Sequence, residues 1–372
     1  MNAAIKACLG FVQRETVLCI ALLLAVISAF LTPPNPAYLS YIDWNTLALL
    51  FSLMAVMKGF QKAGLFVYLG NQLLKRTDSS RKMMLVLVLL PFLLSMVITN
   101  DVSLITFVPF GLIVLRLANQ EHLVVPLVVL QTVAANLGSM LTPMGNPQNL
   151  YLYTKSGMSF GALCHLMLPY VLISALCLIL LVVLRRSSPI SGISLSVELG
   201  DHKTLLCCLL GFLICLLGIF KIIPALVIAL IVAIFLLIVD RPLLASVDYS
   251  LLGTFVGFFI FIGNIGCIDQ FQSLLASLLE DHAIPVAILS SQLISNVPAA
   301  LLLSGFTDQW SALIVGCNLG GLGTLIASMA SLISYKMVAK DYPALRKKYL
   351  FIFTLCNVVL LVILFSVSVI LS

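Results

Sequence analysis

Long charge-poor apolar stretches dominate this chain, over residues 17–31, 44–57, 83–115, 123–154, 156–184, 204–220, 222–239, 249–268, 283–307, 309–335 and 349–372. A helix crosses bilayer hydrocarbon in about 20 apolar residues, and irregular backbone persists at that depth only inside protein or beside a watery cavity. Only 9% of the side chains are charged, against about 25% in a soluble domain. That excludes cytosolic enzymes, nucleic-acid binders and secreted modules, and makes the lipid bilayer the expected partner. The net charge of +6 comes from short Lys/Arg clusters in loops, so it bears on orientation and not on nucleic acid. The ten cysteines, Cys19, Cys177, Cys207, Cys208, Cys215 and Cys356 among them, lie mostly in apolar stretches without metal-ligand spacing. They are expected as small buried residues.

Several stretches are too long or too interrupted for one plain helix. Residues 17–31 are taken as a first span and not a signal peptide, because no small-residue cleavage site follows. Lys6 and Arg14 precede that span, and the next loop has no Lys or Arg. The positive-inside bias therefore places the amino terminus in the cytoplasm. Stretch 83–115 breaks at Thr99-Asn100-Asp101 and has basic flanks on both sides, Arg81-Lys82 and Arg116. A re-entrant hairpin entering from the cytoplasm fits this, with the polar tripeptide near mid-membrane. Stretch 283–307 breaks at Ser295-Asn296-Val297-Pro298 between Glu280, Asp281 and Asp308, so its hairpin should enter from outside.

The halves repeat. An offset of 205 carries Asp43-Trp44 onto Asp248-Tyr249, Phe66 onto Phe271 and Leu73-Leu74 onto Leu278-Leu279. An offset of 182 carries Asn136-x-Gly138-x-x-x-Thr142 onto Asn318-x-Gly320-x-x-x-Thr324. The matched residues are Asn, Gly, Thr and Asp, which Leu-rich helices do not share by chance, and the basic end of one copy is acidic in the other. Inverted repeats with interrupted segments mark a secondary transporter with a midplane site. The expected organisation is a first span and periplasmic loop (1–42), repeat one (43–184), a connecting loop and two spans (185–247) and repeat two (248–372).

The polar residues at the breaks are the candidate site. Asp101 at mid-membrane would cost upwards of about 2.5 kcal/mol. Two explanations stand: it caps the helix that follows, or it carries a coupling H⁺ or Na⁺ that offsets the cost. Asn100 and Asn296 occupy equivalent tips, each offering one acceptor and two donors. The first helix break holds Ser139, Thr142, Gly145, Asn146, Gln148 and Asn149; the second holds Gly320, Thr324 and Ser328, with Asn318 just before it. Unwound backbone there exposes carbonyls for a cation, while a helix restarting at Pro147 turns its positive end inward. Close packing of small residues is the alternative for Gly320, Gly321 and Gly323. His165 is expected as a packed, hydrogen-bonded residue, and Lys336 and Lys340 as snorkelling at a cytoplasmic helix end.

Thr99-Asn100-Asp101, the run from Asn136 to Asn149, Ser295-Asn296 and Asn318 to Thr324 resemble the ion transporter superfamily. That group spans arsenite pumps, sodium/proton antiporters, citrate transporters and divalent-anion/sodium symporters. The resemblance covers nearly the whole chain and is strongest to bacterial inner-membrane transporters of the citrate type. It implies that Thr99, Asn100, Ser295 and Asn296 act at the hairpin tips on sodium and substrate carboxylate, with Na⁺ near Asn100, Asp101 and Asn296. Asp101 and Val297 stand where the symporters carry Thr, and an acidic tip is more similar to the arsenite and sodium/proton branches. The resemblance also implies a homodimer with elevator-like movement.

The expectation is thus an all-α membrane protein of nine spans, two opposed re-entrant hairpins and two interrupted helices, amino terminus inside and carboxyl terminus outside. It would move a small carboxylate or oxyanion with H⁺ or Na⁺ and need no other cofactor. Sodium/proton or arsenite antiport is the runner-up. A membrane enzyme is disfavoured because no HExxH, Asp pair or His cluster is present, and a channel gives no reason for alternating hairpins.

Overall fold

In the computed structural model, residues 10–12, 15–190 and 199–371 are described. Lys6 and Arg14, which carried the orientation of the amino terminus, lie outside them. The first half holds α1 (Thr16–Leu31), α2 (Trp44–Lys62), α3 (Leu65–Leu74), α4 (Ser80–Leu94), α5 (Asn100–Leu117), α6 (Val124–Gly138), α7 (Pro147–Ser156) and α8 (Phe160–Val183). Then come α9 (His202–Ile219), α10 (Ala225–Val239), α11 (Tyr249–Gly266), α12 (Asp269–Glu280), α13 (Ala283–Ile294), α14 (Asn296–Leu303), α15 (Trp310–Leu319), α16 (Met329–Asp341) and α17 (Arg346–Leu371). The described residues form an all-α membrane protein. Six helices are long and apolar enough to cross a bilayer, or up to eight if each bent pair is one span. Three further apolar helices are shorter, at 16–31, 225–238 and 310–319.

The two aspartates matched by the offset of 205 both cap helices. Asp43 accepts from Thr46 N at 3.1 Å to open α2, and its counterpart Asp248 accepts from Leu251 N at 3.0 Å to open α11. A carboxylate there satisfies an orphan amide and complements the helix dipole. Each of these long helices is followed by a short one, α3 or α12, then a hairpin, then a helix broken in its middle. Gly64 takes φ +69° at the α2–α3 junction, where the chain bends by 52°. A side chain with Cβ rarely adopts that backbone, so glycine permits the bend.

α6 is the centre: every residue from Val124 to Gly138 is buried. It packs against both arms of the first hairpin (α4 and α5) and against α8, α16 and α17. Gln131 Nε2 donates to Leu87 O at 3.0 Å and to Phe107 O at 3.1 Å, holding both arms onto α6. A second group gathers α9 and α10 on α2, and α1 on α11. The outer faces are apolar and open, with Leu230 61%, Leu176 65% and Val362 60% exposed, as lipid contact requires.

The hydrogen bonds also say which loops share a face. α5 and α16 run side by side, since Asn100 and Ser328 both bond Asn136 while Arg116 Nε donates to Tyr342 Oη at 2.8 Å at the far end. At the base of the first hairpin, Ser80 N donates to Ser188 O at 2.8 Å and Arg81 to Arg185 O at 2.9 Å. One face thus collects Arg81, Lys82, Arg116, Arg185, Arg186, Arg346, Lys347 and Lys348. At the base of the second hairpin, the Gln309 amide donates to the Glu280 carbonyl, which brings Glu280, Asp281 and Asp308 together.

Two local expectations are corrected. His165 is exposed on α8 and not packed, because Leu163 and Met167 take that helix's buried stripe. Cys267 is likewise exposed, and Cys19, Cys164, Cys177, Cys207 and Cys356 are only half-buried because their helices face outward in part; Cys208, Cys215 and Cys317 are buried, and the described cysteines are all free thiols.

Candidate functional site

Thr99 caps α5, its hydroxyl accepting from Val102 N at 3.4 Å, so the helix opens at Asn100 and Asp101 falls within its first turn. Asp101 is therefore not the cap. Its Oδ1 is shielded from solvent and accepts no hydrogen bond among the described residues. The neighbouring Asn100 is only 3% exposed. Its Oδ1 accepts from Asp101 N at 2.9 Å, and its Nδ2 donates to Asn136 Oδ1 at 2.9 Å.

Asn136 is the junction between halves. The same Oδ1 accepts from Ser328 Oγ at 3.1 Å, and Nδ2 donates to Ser331 Oγ at 3.4 Å. One residue before Ser328, the carbonyl of Ala327 accepts from Asn296 N at 3.0 Å and from Ser295 Oγ at 3.4 Å. The two hairpin tips are therefore fastened to adjacent residues of the second break. Both are buried, with Asn296 and Ser295 each 3% exposed. Ser295 sits at φ +74°, ψ 154°, a conformation costing on the order of 1–3 kcal/mol for a residue with Cβ. The turn places the head of α14 against the break, and Gly321 makes room for it: a Cβ there would lie 2.9 Å from Asn296 Nδ2.

The two broken helices are tied together beside these tips. Asn318 Nδ2 donates to Asn149 Oδ1 at 2.7 Å, and Gln148 Nε2 to Cys317 O at 3.2 Å. Asn149 Nδ2 donates to Ser139 O at 3.1 Å and Thr142 O at 3.4 Å, and the Thr142 hydroxyl donates to the Met96 carbonyl. Asn146 is buried at the head of α7. Gly145 allows bare backbone to stack, since a Cβ would stand 2.2 Å from Ser139 O and 2.6 Å from Ser95 O. Gly320 serves packing: a Cβ there would meet Ser291 Oγ at 2.4 Å, just as one at Gly138 would meet Phe92 O at 1.9 Å. Each glycine lets a broken helix press on the first arm of its own half's hairpin.

One predicted residue stands at the exposed edge of this network. Thr324 is exposed although its counterpart Thr142 is buried; it accepts from Ala327 N at 3.3 Å and so shapes the break locally. Sequence reasoning missed Gln292, whose Nε2 donates to Gly320 O at 3.0 Å and Leu322 O at 2.9 Å while its Oε1 accepts from Thr324 N at 2.9 Å. It also left Asn136 and Ser331 out of the site. A lone Gln in an apolar hairpin arm was the available signal for Gln292, and the matched Asn136/Asn318 pair was the signal for Asn136.

Four helices, α5, α7, α14 and α16, thus begin around one buried network, with their positive dipole ends directed inward. Interleaved with them are acceptor oxygens without partners among the described residues: Asp101 Oδ1, Gln148 Oε1 and Asn318 Oδ1. Donor-rich helix heads suit an anion; uncommitted oxygens suit a cation. No set of three His, Cys, Asp or Glu gathers among the described residues to hold a metal.

Paired hairpins and discontinuous helices around a buried polar centre define a membrane transporter rather than an enzyme. The chain belongs to the citrate transporter family, CitMHS, whose sequence model matches residues 4–309. It is 33% identical over 316 residues to the inner membrane protein YbiR of Escherichia coli, covering 83% of this chain and 84% of that one. It is 32% identical over 309 residues to the uncharacterized transporter MJ0456 of Methanocaldococcus jannaschii, covering 82% and 84%. A shorter likeness, 37% over 127 residues, covering 34% of this chain and 25% of the other, is to the silicon efflux transporter LSI3 of rice, Oryza sativa subsp. japonica.

Proposed function

We propose that this multi-pass transporter moves a small carboxylate or oxyanion coupled to H⁺ or Na⁺, through a site where the two hairpin tips meet the two helix breaks. The observation that carries the reading is the hydrogen-bonded chain from Asn100 through Asn136 to Ser328, with Ala327 beside it holding Asn296. The substrate anion would face the heads of α5, α7, α14 and α16, with Thr99, Asn100, Ser295, Asn296 and Asn146 supplying donors. Asp101 would hold the coupling cation, with Gln148 and Asn318 as neutral oxygen ligands nearby. Serial burial of these groups on half-length helices suits a substrate-carrying unit of hairpins, broken helices, α8 and α17. That unit would slide elevator-fashion against α1, α2, α9, α10 and α11, in a homodimer.

The basic face, with Arg81, Lys82, Arg116 and Arg346 to Lys348, would lie in the cytoplasm of a bacterium and the carboxyl terminus outside the inner membrane. A second reading, cation-driven efflux of a metalloid acid, draws on the carboxylate at the first tip and on the name of the rice relative. Purified protein in liposomes, offered citrate, other carboxylates, arsenite and silicate under imposed Na⁺ or pH gradients, separates these. Asp101→Asn should abolish gradient-driven accumulation while the protein still folds; undiminished coupled uptake by that variant would remove the assigned role.

A further inference from the structure

The threonines matched by the offset of 182 make the same bond to their hairpins. The Thr142 hydroxyl donates to the Met96 carbonyl, and the Thr324 hydroxyl donates to the Gln292 carbonyl at 3.5 Å. Met96 and Gln292 each stand three residues before the cap of the second hairpin arm, Thr99 or Ser295. Gln292 brings to this place an amide that Met96 lacks. Its Nε2 donates to two carbonyls of the second break, Gly320 O at 3.0 Å and Leu322 O at 2.9 Å, and to Ile288 O of its own helix at 3.3 Å. Its Oε1 accepts from Thr324 N at 2.9 Å. The break is shaped around that group: Gly323 takes φ +113°, and a Cβ there would lie 2.3 Å from Gln292 Oε1. In the first break the carbonyls of Ser139, Met140 and Thr142 are held instead by Asn149 Nδ2, at 3.1, 3.5 and 3.4 Å. The same offset carries Asn149 onto Ser331, which has no amide and whose hydroxyl accepts from Asn136 at 3.4 Å. The second break therefore draws its amide from the hairpin. Carbonyls of an unwound helix are ligands for a cation; amide N–H groups satisfy the same oxygens without a charge. The hairpin arms differ as well, since Asp101 is the second residue of α5 and Val297 the second of α14. A cation at the second break would find the Gly320 and Leu322 carbonyls already bonded, and a valine where the first half has a carboxylate.

We propose that Gln292 is a resident, neutral stand-in for a cation. Its amide occupies the carbonyl pair of the second break, so the second half binds no coupling ion and the first half binds one, at Asp101. Gln292 is a positioning residue: it holds the break open in the shape a bound ion would otherwise impose, and it touches neither the substrate nor the ion at Asp101. This rests on the coupling role given to Asp101, and it adds what that role alone does not contain, the number of coupling ions. One cation crosses per cycle, on a scaffold whose two breaks offer two places.

The test uses full-length protein in micelles at about pH 8, where a glutamate with an ordinary pKa is ionised. It measures radiolabelled Na⁺ bound per chain at equilibrium, and the unfolding midpoint in NaCl against equal choline chloride. Gln292→Glu removes the amide donors and sets a carboxylate against two carbonyls, a repulsion that a bound cation relieves. The wild-type chain should bind at most one Na⁺ and Asp101→Asn none. The double variant Asp101→Asn/Gln292→Glu should gain one Na⁺, and its midpoint should rise with NaCl and level off while choline leaves it unchanged. If that protein does not fold, Asp101→Asn/Gln292→Ala, which leaves the carbonyl pair open, should show the same gain. A side chain that only ties the break to the hairpin would lose stability in both variants with no Na⁺-specific recovery. Two Na⁺ on the wild-type chain, one on Asp101→Asn, or none gained by either Gln292 variant would overturn the inference. Wild-type coupled uptake by Asp101→Asn in liposomes would instead overturn the function assigned to that carboxylate and the single site placed on it, while the Na⁺ gained at position 292 would still stand.

Discussion

Replacing Asn136 by Ala tests the junction between the halves most directly. The substitution strands two donors at once, Asn100 Nδ2 and the Ser328 hydroxyl, whose residues are 3% and 1% exposed. Leaving a buried donor unmade costs about 1–3 kcal/mol in soluble proteins, but hydrogen bonds between membrane helices average about 0.6 and reach about 1.7 kcal/mol, because the unfolded chain in lipid finds other partners. The membrane value governs here, since all three residues lie among helices buried at the bilayer's depth. Asn136→Ala should therefore lower stability by about 1–3 kcal/mol, and a double-mutant cycle with Asn100→Ala should show a coupling energy of about 0.6–1.7 kcal/mol. The assay is reversible unfolding of the four proteins in mixed micelles, together with uptake per folded copy in liposomes. Asn264→Ala is the control: its Nδ2 donates to Ser28 Oγ at 3.0 Å, joining α11 to α1 away from the breaks. That variant should lose stability but keep uptake, whereas Asn136→Ala should lose at least tenfold in uptake. Additivity within about 0.3 kcal/mol, or equal transport losses in the two, would refute the junction.

Gly138→Ala should cost about 1–3 kcal/mol or more by overpacking, since the new Cβ would meet the Phe92 carbonyl at 1.9 Å and backbone cannot swing aside. Gly161→Ala, with nothing within 4 Å, should be neutral or slightly stabilising in the same melt. Single cysteines at Asp308 and Lys82, placed in a cysteine-free background, should label with impermeant maleimide from the outside and the inside of intact cells respectively; the reverse pattern would overturn the orientation.

The chain's pattern alone determined the material and the plan. Charge-poor stretches dictated membrane helices, because lipid leaves the backbone no other way to satisfy its hydrogen bonds. The Asp43/Asp248 match was legible as two helix starts, because a cap's chemistry is local. The breaks at Asn100, Asn296, Gly138 and Gly320 were legible for the same reason: Asn, Gly and Pro inside an apolar run have a local structural meaning. What only the tertiary structure decided is who meets whom. Nothing near Asn136 in the chain announces Ser328, 192 residues away, and two threonines in matched sequence positions proved buried in one half and exposed in the other. Lys58 shows the same limit most plainly. In the sequence it marks the end of an apolar stretch; the helix continues to Lys62, and packing sets that apparent boundary charge on Gln61, which in turn bonds Thr106 of the first hairpin. Capping, helix formation and lipid solvation act over a turn or two of chain, whereas hydrogen-bond partners and countercharges are chosen by distances that folding alone sets.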